Sequence, residues 1–359
     1  KIKPISQVLP YSLSKQQIEL INWLRVYYPS PVSSIVQMFM PPPAITRIVN
    51  EHATEPLKMP DNLPKLTAEQ RDVIRDVYAS QQTNYLLHGR TGSGKTRVYT
   101  ELAVRTINSG KSVIILTPEI GLTTPLIDYF QTIFGSDGVI CFHSQLNALA
   151  KATAWADASS DKPKIIIGPR SALFLPVTNV GLVVVDEAHD SAYKQEQQPF
   201  YHATRVATKL ATIWKAKCVL GSATPLVNDY YAFANKHLPI LEMTKLAITS
   251  NYTREDNIID LRDRSLFHRS QLISTPLVNA IENALKAKQQ VLLYLNRRGS
   301  ARTVLCQNCG WQELCPNCDI GLTYHADKNK VLCHACSFQK PVPMQCPECS
   351  SNDIIFQTP

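Results

Sequence analysis

No run of 18 apolar residues occurs in this 359-residue chain, and no basic, apolar and small-residue leader precedes the first element. The sequence therefore offers neither a membrane span nor a secretion signal. Internal repeats and low-complexity tracts are missing as well, apart from paired Cys-x-x-Cys units, which excludes a solenoid or collagen-like array. Outside residues 306–349 only two cysteines occur, Cys141 and Cys218. Both are expected to be buried core thiols of a reduced, cytosolic protein. The chain opens at Lys1 and stops at Pro359 soon after a cysteine pair, so a longer parent protein is expected.

A hydrophobic content of 44% with 18% charged residues describes a soluble globular protein, long enough for two or three domains with real cores. The formal net charge is +8, and residues 66–301 hold 26 Lys/Arg against 20 Asp/Glu. That basic excess fits a polyanionic partner.

Residues 84–96 carry the strongest signal. A short apolar run enters His88-Gly89-Arg90-Thr91-Gly92-Ser93-Gly94-Lys95-Thr96, and a helical pattern follows. This is G-x-x-x-x-G-K-[ST] in the strand–loop–helix setting that the motif requires. Backbone N–H groups of Gly89, Thr91, Gly92, Ser93 and Gly94 would cradle a phosphate chain at a helix N-terminus. Lys95 would neutralise the β- and γ-phosphates, and the Thr96 hydroxyl would bind Mg²⁺. A second buried strand, 181–185, ends in Asp186-Glu187-Ala188-His189. Asp186 at such a strand end can orient Mg²⁺, Glu187 can polarise an attacking water, and His189 can relay to a neighbouring element. A third strand end, Gly221-Ser222-Ala223-Thr224-Pro225, offers small hydroxyls within reach of His189 or the acidic pair.

From residue 66 onward, near-continuous apolar strands (85–88, 112–116, 164–167, 182–185 and 218–221) alternate with helices, the pattern of a parallel sheet covered on both faces. Two helices, 12–28 and about 32–40, precede it, with Pro29 ending the first and Pro41-Pro42-Pro43 the second. They suit a helix-turn-helix or winged-helix unit, or equally an adaptor without DNA contact. Residues 54–65 read as a linker. Near the other end a helix at about 275–288 leads into 290–296, read as a buried strand that starts a second α/β lobe.

Eight cysteines form four Cys-x-x-Cys pairs: Cys306/Cys309, Cys315/Cys318, Cys333/Cys336 and Cys346/Cys349. Each pair is half of a tetrahedral thiolate site, so two closed, structural Zn²⁺ ions are expected. Disulfides are the competing reading, and the uniform two-residue spacing favours zinc. Spacing alone leaves open which pairs share an ion. His325 and His334 are not needed as ligands.

The phosphate loop, Asp-Glu-Ala-His and Ser-Ala-Thr together resemble superfamily 2 helicases and translocases. By that resemblance Gln70, in Leu66-Thr67-Ala68-Glu69-Gln70, reads the adenine edge. Thr123 and Arg170, in the segments 117–123 and 168–174, meet the DNA backbone. A helicase core with a double zinc unit placed inside the second lobe is similar to one family in particular, the PriA helicases of bacterial replication restart. The likeness includes 185–196, Tyr201-His202-Ala203 and Leu295-Asn296-Arg297-Arg298-Gly299 leading into Cys306.

The resemblance implies an α/β fold: a RecA-like parallel-sheet lobe binding ATP (61–245), a linker and the start of a second lobe (246–300), and a Cys-rich double zinc-binding module (301–357). It also implies the tail of an N-terminal DNA-binding domain (1–10) and a winged-helix-like segment with linker (11–60). It nests the zincs, Cys306/Cys309/Cys346/Cys349 around Cys315/Cys318/Cys333/Cys336. Tyr193, Phe200 and Tyr201 fall in an aromatic-rich loop whose rings can stack on bases. The implied activity is ATP-dependent 3′→5′ unwinding at stalled forks. The implied partners are branched and single-stranded DNA, primosome proteins and single-strand-binding protein. A monomer in the bacterial cytoplasm, associated with the nucleoid, is expected. The family's arginine-bearing motif VI is not in the chain, so weak hydrolysis of bound ATP is expected. A restriction-type translocase and a zinc-stabilised fork-binding adaptor are the alternative readings.

Overall fold

A computed structural model describes residues 12–42, 63–118, 120–247, 256–260, 263–270, 273–294, 303–317, 320–326, 329–333 and 338–357, with 45, 57, 60 and 336. The expected tail at 1–10, most of the linker, and Leu295–Gly299 of the second-lobe reading lie outside these residues. The chain divides into two compact units, Lys1–Tyr252 and Thr253–Pro359. Among the described residues no helix is long and apolar enough to cross a membrane.

The first unit is built on seven parallel strands: β1 (Asn84–Gly89), β2 (Ser112–Leu116), β3 (Val139–Cys141), β4 (Ile165–Gly168), β5 (Val180–Val185), β8 (Lys217–Ser222) and β9 (Ile240–Met243). Their spatial order is β3-β4-β2-β5-β8-β1-β9. Two short strands, β6 (Lys194–Gln195) and β7 (Tyr201–His202), make a separate antiparallel ribbon. The five strands expected from apolar runs are all present. The two missed, β3 and β9, are the sheet edges, only three and four residues long, where no extended run is needed to fill a two-sided core.

Alternation sorts the side chains between two cores. Leu182, Val184, Tyr85 and Leu87 face helices α3 (Ala68–Ala79), α4 (Lys95–Asn108) and α5 (Ile120–Phe134). Val183, Val185, Leu86 and Leu220 face the opposite layer, which includes α6 (Ala148–Ala158) and α7 (Ala203–Trp214). Helix α8 (Val227–Asn235) follows β8. Cys218 is buried in the interior strand β8 as expected, whereas Cys141, on the edge strand, is only half-buried.

The N-terminal helices α1 (Lys15–Tyr27) and α2 (Val32–Gln37) do not make a core of their own. Leu20, Ile21, Leu24, Ile35 and Phe39 are buried in the same cluster as Ile114, Phe174 and Leu210 of the sheet layer. Helix α1 starts on a capping box, with the Ser14 hydroxyl accepting from the Gln17 N–H at 3.2 Å and Gln17 Oε1 accepting from the Ser14 N–H at 2.9 Å.

In the second unit, helix α9 (Thr275–Lys286) forms where expected, but the apolar run after it is not a buried strand. Leu292 is 91% and Tyr294 81% exposed. A strand needs a ladder partner, and none lies beside 290–294 among the described residues. The cysteine-rich part pairs β10 (Thr303–Cys306) with β14 (Ile354–Gln357) and stacks β11 (Thr323–His325), β12 (Lys330–Leu332) and β13 (Gln339–Pro341) as an antiparallel sheet.

Because α1 shares the sheet's core, Leu24→Ala is expected to lower the stability of the whole first unit by about 2–5 kcal/mol. Urea unfolding followed by hydrogen exchange in β1 and β5 checks this. An unchanged sheet with only α1 loosened would mean that the helix is an independent appendage.

Candidate functional site: the phosphate loop, acidic pair and thiolate clusters

Strand β1 delivers the phosphate loop and α4 receives it. Gly94 is the N-cap of α4 at φ +81°, a left-handed conformation natural to glycine, and a Cβ there would strike the Gln70 amide. Gln70 is 2% exposed and fully used. Its Nε2 donates to the carbonyls of Ser93 (3.1 Å) and Gly94 (3.4 Å), and its Oε1 accepts from the Thr67 N–H (2.9 Å). Gln70, the expected adenine reader, braces the phosphate loop through these bonds. The capping box of α3 turns its side chain inward and spends the amide on backbone.

Lys95 is pinned low over this loop, with Nζ donating to the Gly89 carbonyl at 3.1 Å. The same Nζ lies 3.9 Å from Glu187 Oε1. The acidic pair arrives from β5, where the Asp186 N–H bonds to the Leu116 carbonyl and the Ala188 N–H to the Gly221 carbonyl, both at 2.9 Å. Glu187 sits at φ +45°, unusual for a residue with a Cβ, so the chain reverses between the two carboxylates. Thr96, Asp186 and Glu187 line one cleft of about 350 Å³ with Thr117 and Pro118. His189 Nδ1 is 2.8 Å from Ser222 Oγ and 3.5 Å from Glu187 Oε2, and Ser222 Oγ also accepts from the Thr224 N–H. The three strand-end motifs therefore converge.

Two observations fit a triphosphate and its cation. Ser93 Oγ is buried with no partner among the described residues, and the Lys95 ammonium, 10% exposed, has one carbonyl and one distant carboxylate around it. Thr91 lies exposed at the loop's tip.

One residue of the site has no sequence motif. Tyr99, fully buried one turn after Lys95, donates its hydroxyl to Asp186 Oδ1 at 3.0 Å. Gly221 makes the space, since a Cβ there would overlap the Tyr99 hydroxyl. Burial, reinforced by the Glu187 charge, pushes the Asp186 carboxyl up from its usual range, and the Tyr99 hydrogen bond pulls against this. Helical spacing from Lys95 was the available signal. The segment after β9 was also unforeseen: the Ala247 N–H bonds to the Gly92 carbonyl, and Glu69 accepts from the Thr244 hydroxyl and the Lys245 N–H.

The expected DNA contacts separate. Phe200 is 43% exposed, but Tyr193 and Tyr201 are buried and present no stacking face at the surface. The Tyr193 hydroxyl donates to the main-chain carbonyls of Asp186 and Leu116, where burial holds it protonated. Tyr201 meets Phe174 edge-on at 5.2 Å, and its hydroxyl is pushed up to about 12 by burial. Arg170 Nε donates to Gln195 Oε1 at 2.7 Å, and one Nη donates to the Ala192 carbonyl. Thr123 falls in α5, with its side chain outside the described residues.

Thiolates cluster in the second unit. Cys306, Cys309, Cys346 and Cys349 converge, as do Cys315, Cys333 and Cys336, with all sulfurs of a group within 4.8 Å of one another. Cys318 lies outside the described residues. Sγ–Sγ separations are 3.6 Å for Cys306/Cys349 and Cys309/Cys346, and 3.5 Å for Cys315/Cys336. A disulfide needs ~2.05 Å. The edge of a tetrahedron with ~2.3 Å Zn–S bonds is about 3.8 Å. The observed spacing fits the ion. The leading cysteines of the pairs begin tight turns, with the Gly310 N–H on the Cys306 carbonyl and the Ser350 N–H on the Cys346 carbonyl.

A phosphate loop, an acidic pair and a Ser-Ala-Thr segment at the ends of adjacent parallel strands are the arrangement of a DEAD/DEAH box helicase domain, and the profile of that family matches residues 67–232. The profile of the PriA DNA helicase Cys-rich region matches 315–341. Replication restart protein PriA of Bacillus subtilis is 38% identical over 83% of this chain and 37% of its own length. Its counterpart in Rickettsia felis is 35% identical over 99% of this chain and 54% of its own. Among solved structures, the Hef helicase domain of Pyrococcus furiosus is similar at a TM-score of 0.38 and 20% identity, over 49% of this chain and 38% of that one. The chain belongs to the replication restart protein PriA family, and it spans about half the length, or less, of the curated relatives it matches.

Removing the Tyr99 hydroxyl should free the Asp186 carboxylate. Tyr99→Phe is expected to weaken Mg²⁺-dependent nucleotide binding roughly tenfold, the scale of one hydrogen bond to a charged group. Titration with a fluorescent ATP analogue, with and without Mg²⁺, reads this, and a loss equal in both conditions would contradict it. Metal analysis should return two zincs per chain, and Cys346→Ser should retain one. An unchanged count would show that Cys346 is not a ligand.

Proposed function

We propose that this chain is the nucleotide-binding motor portion of an ATP-dependent 3′→5′ DNA helicase that recognises branched DNA at stalled replication forks and initiates primosome assembly. The observation that carries the motor reading is the 3.9 Å approach of Lys95 to Glu187 across the cleft that Thr96 and Asp186 line. Lys95 and the backbone N–H groups of 89–96 would hold the phosphates, while Thr96 and Asp186 would hold Mg²⁺, which would supply positive charge against the triphosphate. Glu187 takes the proton of the attacking water. The His189–Ser222 pair, in contact with Glu187, reports whether the γ-phosphate is present.

DNA binds along the rim formed by Arg170 and Phe200, with Thr123 as a further backbone contact. Loop 191–202 links that rim to the nucleotide: Arg170 grips it at Ala192 and Gln195, and between them Tyr193 bonds to the carbonyl of Asp186. Tyr193 and Tyr201 act here as inward anchors. Adenine recognition by Gln70 requires its amide to leave Ser93 and Gly94. The two Cys₄ zinc sites, nested as Cys306/Cys309/Cys346/Cys349 and Cys315/Cys318/Cys333/Cys336, brace the module that meets DNA or primosome proteins. The protein works in the bacterial cytoplasm, as a monomer, beside single-strand-binding protein.

Lys95→Ala tests the motor reading. It is expected to reduce ATP binding at least tenfold and to abolish any effect of ATP on affinity for a model fork, measured by fluorescence anisotropy. A fork-binding adaptor that uses ATP only as a conformational ligand would keep its biological activity, so full replication-restart activity of Lys95→Ala in the intact protein would favour the adaptor.

A further inference from the structure

The free edge of the sheet carries a cavity that the nucleotide chemistry does not use. Strand β3 pairs only with β4, and a groove of about 660 Å³ runs along its outer side. Helix α6 forms one wall, and Gln131 near the end of α5 meets the other side. Register fixes which backbone groups face the groove. Ile140 pairs with Ile166, and the Phe142 N–H bonds to the Ile167 carbonyl, so these two residues turn toward β4. Alternate residues of a strand point the other way, so the Val139 carbonyl and the N–H and carbonyl of Cys141 face outward. The Val139 N–H is already taken by the Ser136 carbonyl. Ala150, Thr153 and Ala154 line the α6 wall, and their short side chains leave the slot open.

The groove is polarised along its length. Asp137, just before β3, and Asp157, in the last turn of α6, both line it. Lys164, just before β4, feels both charges, which puts the two carboxylates at the N-terminal end of β3. Lys164 itself is 2% exposed, donates to the Asp137 carbonyl at 3.3 Å and does not line the groove. At the other end Leu149 is 55% exposed. No lysine or arginine is among the lining residues. From Leu149 to Asp157 the helix rises about 12 Å, which a strand covers in about four residues. Residues i and i+4 of a strand share a face. We propose that this groove takes an extended segment of a partner protein as an added strand on β3, with a basic residue at the Asp137 and Asp157 end and an aliphatic residue four positions away against Leu149. A nucleic-acid strand, or a second copy bringing the same carboxylates, would meet like charge there. The three-residue edge is too short to pair indiscriminately, so the two ends of the groove select the partner.

The test is fluorescence anisotropy on the whole chain with a labelled heptapeptide, lysine at its second and leucine at its sixth position in a background of alternating threonine and valine. Exchanging the peptide's lysine for glutamate should weaken binding roughly tenfold or more, and exchanging its leucine for serine roughly fivefold. Methylating the backbone nitrogens of the three central residues removes the ladder donors and should abolish binding. Asp137→Lys and Asp157→Lys should each reverse the preference toward the glutamate peptide. Asp137 sits on an exposed turn, so its variant keeps the reversal measurable if Asp157→Lys lowers the thermal midpoint. Equal affinity for the lysine and glutamate peptides, or binding that survives methylation, overturns the added strand, as does no binding at about 1 mM peptide. A dimer in sedimentation that Asp137→Lys disrupts would assign the edge to a second copy instead.

Discussion

Strand β8 lies between β5 and β1, and its backbone bonds to both set where the acidic pair stands relative to the phosphate loop. Three parallel strands in register place Gly89, Asp186 and Ser222 at one edge, and the Ala188 N–H on the Gly221 carbonyl holds the turn that follows. Because the ladder is hydrogen-bonded backbone between two packed cores, it resists small displacements. Lys95, Glu187 and His189 inherit that rigidity. The small residues of the Ser-Ala-Thr segment have two tasks here: Ser222 meets His189, and Gly221 leaves room for the Tyr99 hydroxyl.

Loop 191–202 behaves as a tether rather than a surface decoration. Two of its three aromatic rings are buried, and its contacts run to Arg170, to Asp186 and to the N-terminal helices. Ser30 accepts from the Phe200 N–H, and the Tyr28 hydroxyl accepts from the His202 N–H. Shared packing of α1 with α7 explains why a segment that reads as a separate unit is part of this one. The loop is thus tied to Asp186 at one point and to Arg170 at two others.

The cysteine module solves a different problem. Among the described residues, Val304, Leu322 and Val331 are its main buried apolar side chains, a small core for an independent module. Two cysteine clusters bring together turns distant in the chain, where a bound metal would supply cross-links in their place.

The sequence by itself determined the phosphate loop, the acidic pair, the five inner strands and the cysteine pairs. Each is a local pattern whose spacing follows from its chemistry or from alternation along one strand. It could not determine the edge strands β3 and β9, which are too short to leave a run. It misread 290–294, where an apolar stretch lacks a strand to pair with. Only the tertiary structure decided that Gln70 spends its amide on the phosphate loop, that Tyr193 and Tyr201 turn inward, and that Tyr99 reaches Asp186, 87 residues away. Those outcomes depend on which distant backbone groups need a partner once the sheet has closed, and no local pattern encodes that need.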